Sequence, residues 1–322
     1  MTSTRRYRIR FLTILLLGLA FARASDAKTF LSIATGGEAG VYYPLGKGLA
    51  EVLTDHLTDV EVTARTSDAS AANVNMIARH EVALALVQND VAFRAVNGEK
   101  PFREPIENLS MIASLYPEHV QCVTVRDNGI KTISDLKGKR VSVGTTDSGT
   151  IDSVGAILSV AGLKYADINA DFLDFANTSL RIQDGWLDAG FVLAGYPTPA
   201  VVDLAAKKDI GIVAFEEELL DKLSDTYPFF TKGIIPAGTY NGVDHDTPTI
   251  SVMAVLVCDS GLTDDLAYDI TKAIFENLAE LKPVHAKAEM ISLDTALSAT
   301  AIKVHPGAVK YYTEKGFKVP SF

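Results

Sequence analysis

The sequence is short of the residues that several kinds of chemistry need. It has two cysteines, Cys122 and Cys258, too few for a disulfide framework or a four-thiolate zinc site. Its six histidines, at positions 56, 80, 119, 245, 285 and 305, never fall three or four residues apart, the spacing that sets two imidazoles on one helix face. Basic residues are outnumbered, 30 against 40 acidic, for a formal charge of −10, which argues against nucleic acid as a partner. No G-x-G-x-x-G follows the first strand-like run, and no G-x-S-x-G elbow occurs. Gly40 to Gly46 followed by Lys47-Gly48 is one residue too long for a P-loop, with Gly where the Mg²⁺-binding hydroxyl belongs. Asp147-Ser148-Gly149 has no base placed beside it for hydrolysis, and Asp244-His245-Asp246 reads as a solvated loop. No metal, cofactor or covalent chemistry is expected.

What is present begins with an address label. Arg5, Arg6, Arg8 and Arg10 form a basic front, an apolar run follows from Phe11 to Phe21, and Ala22-Arg23-Ala24 is a small-x-small cleavage pattern. The apolar run is about half as long as a bilayer span, so residues 1–24 read as a signal peptide. Cleavage after Ala24 removes five arginines and no acid, leaving 25 basic and 40 acidic residues, a net −15 over 298 residues. No later segment has 18 uninterrupted apolar residues, so a soluble protein working outside the cytoplasm, in the periplasm, is expected.

The rest of the chain alternates short β-branched runs with helical patterns. Phe30 to Ala34 is strand-like, Tyr43 to Leu57 helical, Val60 to Ala64 a strand, Ser70 to Arg79 a helix, and Val82 to Val87 a continuous apolar strand. That order predicts a parallel, doubly wound sheet. From about residue 120 a second such unit follows, with strands at Val120–Arg126, Arg140–Gly144, Ile168–Phe172, Ala189–Leu193 and Ile210–Ala214. A long strand, Thr249 to Val257, precedes a helix from Asp264 to Leu281. The economical architecture is two α/β lobes joined by strands crossing near residues 120–126 and 249–258. Lobe 1 takes residues 25–122 and 253–322, and lobe 2 residues 123–252. Cys122 and Cys258 sit on the crossing strands, where they either pair or stay as two buried thiols.

Two loops lead from a strand straight into a helix, Thr35-Gly36-Gly37-Glu38-Ala39-Gly40 and Thr145-Thr146-Asp147-Ser148-Gly149-Thr150. In open parallel sheets such turns lie at the carboxyl edge, where ligands bind, and free N–H groups at the helix starts favour an anion. One such loop per lobe, facing a shared cleft, makes a carboxylate site. Tyr42 and Tyr43 cannot share a helix face, so one packs and the other, Tyr42, faces the cleft. Gln88 ends a buried strand at the ligand edge, and Asp90 reads as the cap of the next helix. Ser148 and Thr150 offer hydroxyl and N–H donors, and Tyr196 and Pro197 a wall. Arg65 is either a carboxylate clamp or a surface arginine, with the surface reading preferred. Trp186 reads as a buried anchor, and His305-Pro306 as the fastening of the C-terminal segment.

At these loops the sequence resembles the TAXI family, the extracytoplasmic solute receptors of tripartite ATP-independent periplasmic (TRAP) transporters. The likeness runs from about Phe30 to Gly316. It rests on Thr35 to Gly46 with its Tyr42-Tyr43-Pro44, on Ser70 and Asn73, and on Val87-Gln88-Asn89-Asp90. It continues through Gly144 with Ser148-Gly149-Thr150, Asp184-Gly185, Asp188-Ala189, Gly195-Tyr196-Pro197-Thr198, and His305-Pro306-Gly307-Ala308 before Tyr311-Tyr312. Glu38 and Val41 depart from the small residues usual in the first loop; Glu38 is expected to face solvent. The resemblance implies a type II-like periplasmic-binding-protein fold and capture of a small anionic ligand such as glutamate, 2-oxoglutarate or a related dicarboxylate. It implies ligand contacts from Gly37, Ala39, Tyr42, Ser70, Gln88, Ser148, Gly149, Thr150, Tyr196 and Pro197, and a monomer that delivers its ligand to integral membrane TRAP subunits.

Overall fold

A computed structural model describes residues 28–321; the signal-peptide reading lies outside them. In the first part of the chain β1 (Thr29–Ala34), α1 (Tyr42–His56), β2 (Val60–Arg65), α2 (Ser70–Ala78), β3 (Leu84–Gln88) and α3 (Asn89–Asn97) alternate as expected. β1 pairs in parallel with both β2 and β3. All five residues of β3, Leu-Ala-Leu-Val-Gln, are buried, as in a strand covered on both faces. α1 buries Leu45, Leu49, Val52 and Leu53, spaced at three to four residues, against this sheet. α3 begins directly after β3 with no loop between them.

The chain then enters β4 (Leu109–Val125), a strand of 17 residues, all but Pro117 and Val125 buried. The crossing strand therefore starts eleven residues before Val120, its expected first residue. Pro117 interrupts the apolar pattern, and a proline inside a run argues against a central strand. It is tolerated because its missing N–H falls where one flank of β4 changes partners. On that flank Ser114 donates to the carbonyl of Ala296, whereas His119 already stands opposite Ala194.

The second part contains β5 (Arg140–Ser142), α4 (Gly149–Val160), β6 (Asn169–Asp171), α5 (Phe175–Gln183), β7 (Ala189–Ala194), α6 (Pro199–Ala205), β8 (Ile210–Ile212), α7 (Glu217–Thr226) and β9 (Thr231–Ile235). β5 pairs in parallel with β6 and β7, while β7 and β8 run antiparallel to β4. The second crossing strand, β10 (Thr247–Asp259), lies antiparallel to β3, β4 and β9. α8 (Asp264–Glu276), α9 (Leu278–Leu281) and α10 (Pro306–Glu314) close the chain. The helix expected over Asp264–Leu281 is broken at Asn277. His305 and Pro306 do fasten α10: the imidazole accepts from the Gly307 N–H at 3.2 Å and lies 3.1 Å from the Leu262 carbonyl.

The resulting sheet runs β2-β1-β3-β10-β4-β7-β5-β6, with parallel triplets outside and the two long antiparallel strands at the centre. This is the two-lobed α/β arrangement expected, with β4 and β10 as the crossing strands. Trp186 is not a buried anchor: it is 68% exposed, in the turn between α5 and β7. Its backbone N–H closes that turn onto Arg181, which leaves the indole outside the core.

Both cysteines are free and fully buried. Cys258 stands opposite Ser110 near one end of β4, and Cys122 lies twelve residues further along that strand. At about 3.3 Å per residue the gap is on the order of 40 Å, which excludes a disulfide. Burial pushes the Cys122 thiol up to about 12 and raises Cys258 as well, with the Asp259 charge adding to the second shift. A thiol reagent should therefore find no reactive group in the folded protein and two per chain after denaturation. Fewer than two under denaturing, non-reducing conditions would show a disulfide.

Candidate functional site

A cavity of about 340 Å³ opens between the two glycine loops. The loop after β1 is shaped by Thr35, whose hydroxyl donates to the Arg65 carbonyl at 2.7 Å, and by a turn in which the Gly40 N–H reaches the Gly37 carbonyl at 3.0 Å. Asn73 ties this loop to β3 by donating to the carbonyls of Thr35 (2.6 Å) and Leu86 (2.7 Å). Helix α1 then starts at Tyr42; Val41, at the N-cap, offers no side-chain cap, and no acidic residue occupies the first turn. Its first N–H groups lack a side-chain cap beside the cavity.

Eight of the ten sequence-predicted contacts line this space: Gly37, Ala39, Tyr42, Ser70, Gln88, Ser148, Gly149 and Thr150. Tyr42 faces the cavity and Tyr43 does not line it. Ser70 accepts from the Gln88 N–H at 3.1 Å and so fixes the end of β3 beside the start of α2. The Gln88 carboxamide is buried, and its Oε1 has no hydrogen-bond partner among the described residues. It lies under Gly149, where a Cβ would collide with it. Ser148 acts as the cap of α4: its hydroxyl donates to the Thr145 carbonyl (2.8 Å) and accepts from the Ile151 N–H (3.4 Å). Glu38 is exposed at the cavity mouth, as its solvent-facing reading anticipates.

Tyr196 and Pro197 do not line the cavity. Tyr196 packs edge-on against His119 at 4.7 Å and carries the Lys287 ammonium over its face at 3.4 Å. His285 Nε2 holds the Pro197 carbonyl at 2.9 Å. Burial lowers Lys287 to about 8, and burial with the Lys287 charge lowers His119 to about 4. Arg65 is also outside; it is exposed and donates to the Glu81 carbonyl at 3.1 Å. Asp90 is in the first turn of α3 rather than at its cap, and accepts from Arg94 at 3.1 Å.

The lobes meet around the cavity. The N–H groups of Ala71 and Ala72, at the start of α2, both donate to the Asp147 carbonyl at 3.1 Å. Thr145 donates to the Asp68 carbonyl at 3.3 Å, and the Ala200 N–H to the Ala39 carbonyl at 3.1 Å. Arg94 reaches Asp152 on α4 at 3.3 Å, and Phe93 packs on Phe229 with ring centroids 5.0 Å apart. This is a closed arrangement, and it removes the start of α2 from the donors available to a ligand.

The electrostatics differ from what an anion site suggests. Among the described residues no lysine, arginine or histidine lines the cavity, while Glu38, Asp68, Glu118 and Asp174 do. Glu118 is buried on β4 and accepts from the Tyr42 hydroxyl at 2.8 Å. Burial pushes its carboxyl up to about 8; the Tyr42 hydrogen bond opposes this and the nearby Asp90 adds to it. Asp90 is itself raised to about 6 by burial, against the pull of Arg94. Sequence reasoning missed Glu118, Asp68 and the wall formed by Leu173 to Ala176 with Leu193 and Ala194. Glu118 had a signal: it is the only acid in the apolar run from Leu109 to Val125.

Comparison with known proteins agrees with this architecture. A solved structure from Bordetella bronchiseptica superposes with a TM-score of 0.55 at 17% identity, over 90% of this chain and 99% of that one. The binding protein component of an ABC phosphonate transporter from Pseudomonas aeruginosa gives 0.51 at 13% identity, over 81% and 79%. At such identities these likenesses establish the fold. The model of the NMT1-like family matches residues 33–316, from β1 through the end of α10, so both glycine loops and both crossing strands lie inside the match and the chain belongs to the NMT1-like family.

Proposed function

We propose that this protein is an extracytoplasmic solute-binding receptor that closes its two lobes on a small carboxylate and delivers it to the membrane subunits of a TRAP-type transporter. The observation that carries this reading is the cavity enclosed between two glycine loops from opposite lobes, with hydrogen bonds already made across the cleft. The structural relative from Pseudomonas aeruginosa is named as the binding component of a transporter, which supports the receptor role. The resemblance to the TAXI family supports the TRAP assignment. Cleavage after Ala24 would leave residues 25–122 and 253–322 as the first lobe and 123–252 as the second, acting as a monomer in the periplasm.

Glutamate, 2-oxoglutarate and related dicarboxylates fit the size of the cavity. With no cationic side chain from the described residues in the lining, a ligand carboxylate is met by backbone N–H groups at the starts of α1 and α4. Closure is a population shift, driven by contacts that the ligand makes with both lobes at once. No covalent step is needed.

Protein freed of ligand by unfolding and refolding should be stabilised by a C4–C5 carboxylate, by about 2.7 kcal/mol at a concentration 100-fold above its dissociation constant. A thermal-shift screen of carboxylates, amino acids and sugars reads this; stabilisation by neutral sugars alone would remove the carboxylate reading. Gly149→Ala tests closure separately. The added Cβ meets the Gln88 carboxamide, which belongs to the other side of the cleft. It should weaken binding by about tenfold or more while the ligand-free protein unfolds at nearly the same temperature. Unchanged affinity by calorimetry would show that closure does not bring Gly149 onto Gln88.

A further inference from the structure

We propose that Glu118, held by Tyr42, is the point at which the cavity takes a protonated amine of the ligand, and that capture of this amine expels one proton to solvent. The inference rests on the cleft being the ligand site, as proposed above, and selects among the ligands that reading allows.

Two observations point to a ligand that brings hydrogen-bond donors and positive charge. Glu118 is 2% exposed, lines the cavity, and has Tyr42 as its one hydrogen-bond partner among the described residues. A buried carboxyl with a single donor has acceptor capacity left over, since an ionised carboxylate takes about four hydrogen bonds. An alkylammonium supplies three N–H donors and no acceptor, the complement of this group. The second observation is the sign of the field: among the described residues every charged side chain in the lining is acidic. Glu38, Asp68 and Asp174 are exposed, so an entering ligand meets negative charge before it reaches Glu118.

The groups that face Glu118 allow it to hold a proton when the site is empty. From α1 it meets the Tyr42 phenol, whose own ionisation is pushed well above the ordinary range by burial and then by the Glu118 charge. On β4 the buried Tyr116 is raised in the same way. Asp90 on α3 adds negative charge, partly offset by Arg94. Across the strand pair stands Val252 of β10, which is apolar. The neighbouring His119 packs instead with Tyr196 and Lys287, outside the cavity. With its carboxyl at about 8, Glu118 is mostly a neutral acid at pH 7. An incoming ammonium keeps its own proton, so the proton that leaves is the one on Glu118, and the product is a carboxylate–ammonium pair. Pairing offsets the penalty of a buried charge that the empty site avoids.

Calorimetry on the purified protein with three probes tests this: glutamate, 2-oxoglutarate, which carries a keto oxygen in place of the amine, and 1,4-diaminobutane, which has amines and no carboxylate. Glutamate should bind more tightly than 2-oxoglutarate by about tenfold to a hundredfold. Its affinity should rise by about tenfold per pH unit below pH 8 and level off above, and the heat in buffers of different ionisation enthalpy should report close to one proton released. Glu118→Gln should remove the preference, the pH rise and the proton release, with a thermal unfolding profile to confirm folding. Tyr42→Phe should keep the preference and move the pH rise upward, because the hydrogen bond that favours ionised Glu118 is lost. Binding of 2-oxoglutarate as tight as glutamate overturns the inference and leaves the cleft reading intact, as does a preference that survives Glu118→Gln. Binding of the diamine with the same proton release supports it even where the carboxylate reading fails. Binding of none of the three overturns it, and if the wider screen is also empty the cleft reading falls with it.

Discussion

The antiparallel pairing of β4 with β10 is the constraint on which the rest of the molecule depends. These strands are the centre of the sheet and belong to both of its halves: one stretch of β10 pairs with β3, another with β9, and β4 pairs with β10 from Ser251 to Asp259, along the first stretch and to the edge of the second. Each parallel triplet is attached to this pair on one flank, β3 to β10 and β7 to β4. A lobe can change its angle only by bending or twisting the shared pair. Register shifts in β10 at Ala254/Val255 and Leu256/Val257, with Pro117 nearby on β4, place the irregular ladder where the two halves meet. Glu118 follows Pro117, so the buried acid and the bend in the ladder are neighbours in the chain.

Two polar clusters flank this pair and differ in how they manage burial. In the cavity, carboxyls gather without cations, and the deepest of them resists ionisation. Outside it, Lys287 is 3% exposed and sits on the Tyr196 ring. The ring face takes the place of a counter-ion, an attraction that grows as water is excluded. The segment that carries His285 and Lys287 thereby grips the Tyr196–Pro197 loop. Tyr196 and Pro197 are thus fastened to the C-terminal segment rather than presented to the cleft.

Much of this organisation is legible in the sequence, and the misreadings have physical causes. The two glycine loops are found because turn chemistry and strand-to-helix punctuation are local signals, and both line one cavity. The start of α3 is misplaced by the same logic, because the helix begins directly after β3 with no turn residue between them, which puts Asp90 in its first turn rather than at its cap. The first half of β4 is hidden by Pro117, whose tolerance depends on a flank partner far away in sequence. Trp186 and Tyr196 illustrate the limit of residue type as a guide: an indole in a turn is left outside, and a tyrosine beside a glycine is turned from the cleft by a lysine ninety-one positions later. Glu118 was readable as an oddity, an acid within an apolar strand, but its meaning needed Tyr42 opposite it.

The placement of β10 bears on how the chain reaches its structure. The strand that joins β3 to β4 is not complete until residue 259 of 322, after every other strand has been synthesised. Until then β1, β2 and β3 form a fragment with one edge unpaired, and β4 lacks the partner that pairs with it from Leu109 to His119. Edges of that kind invite pairing with other chains. Filling a central position from the far end of the sequence also demands closure of long loops, which slows folding. Assembly must therefore end with the insertion of a middle strand, so neither half of the sheet can mature much ahead of the other.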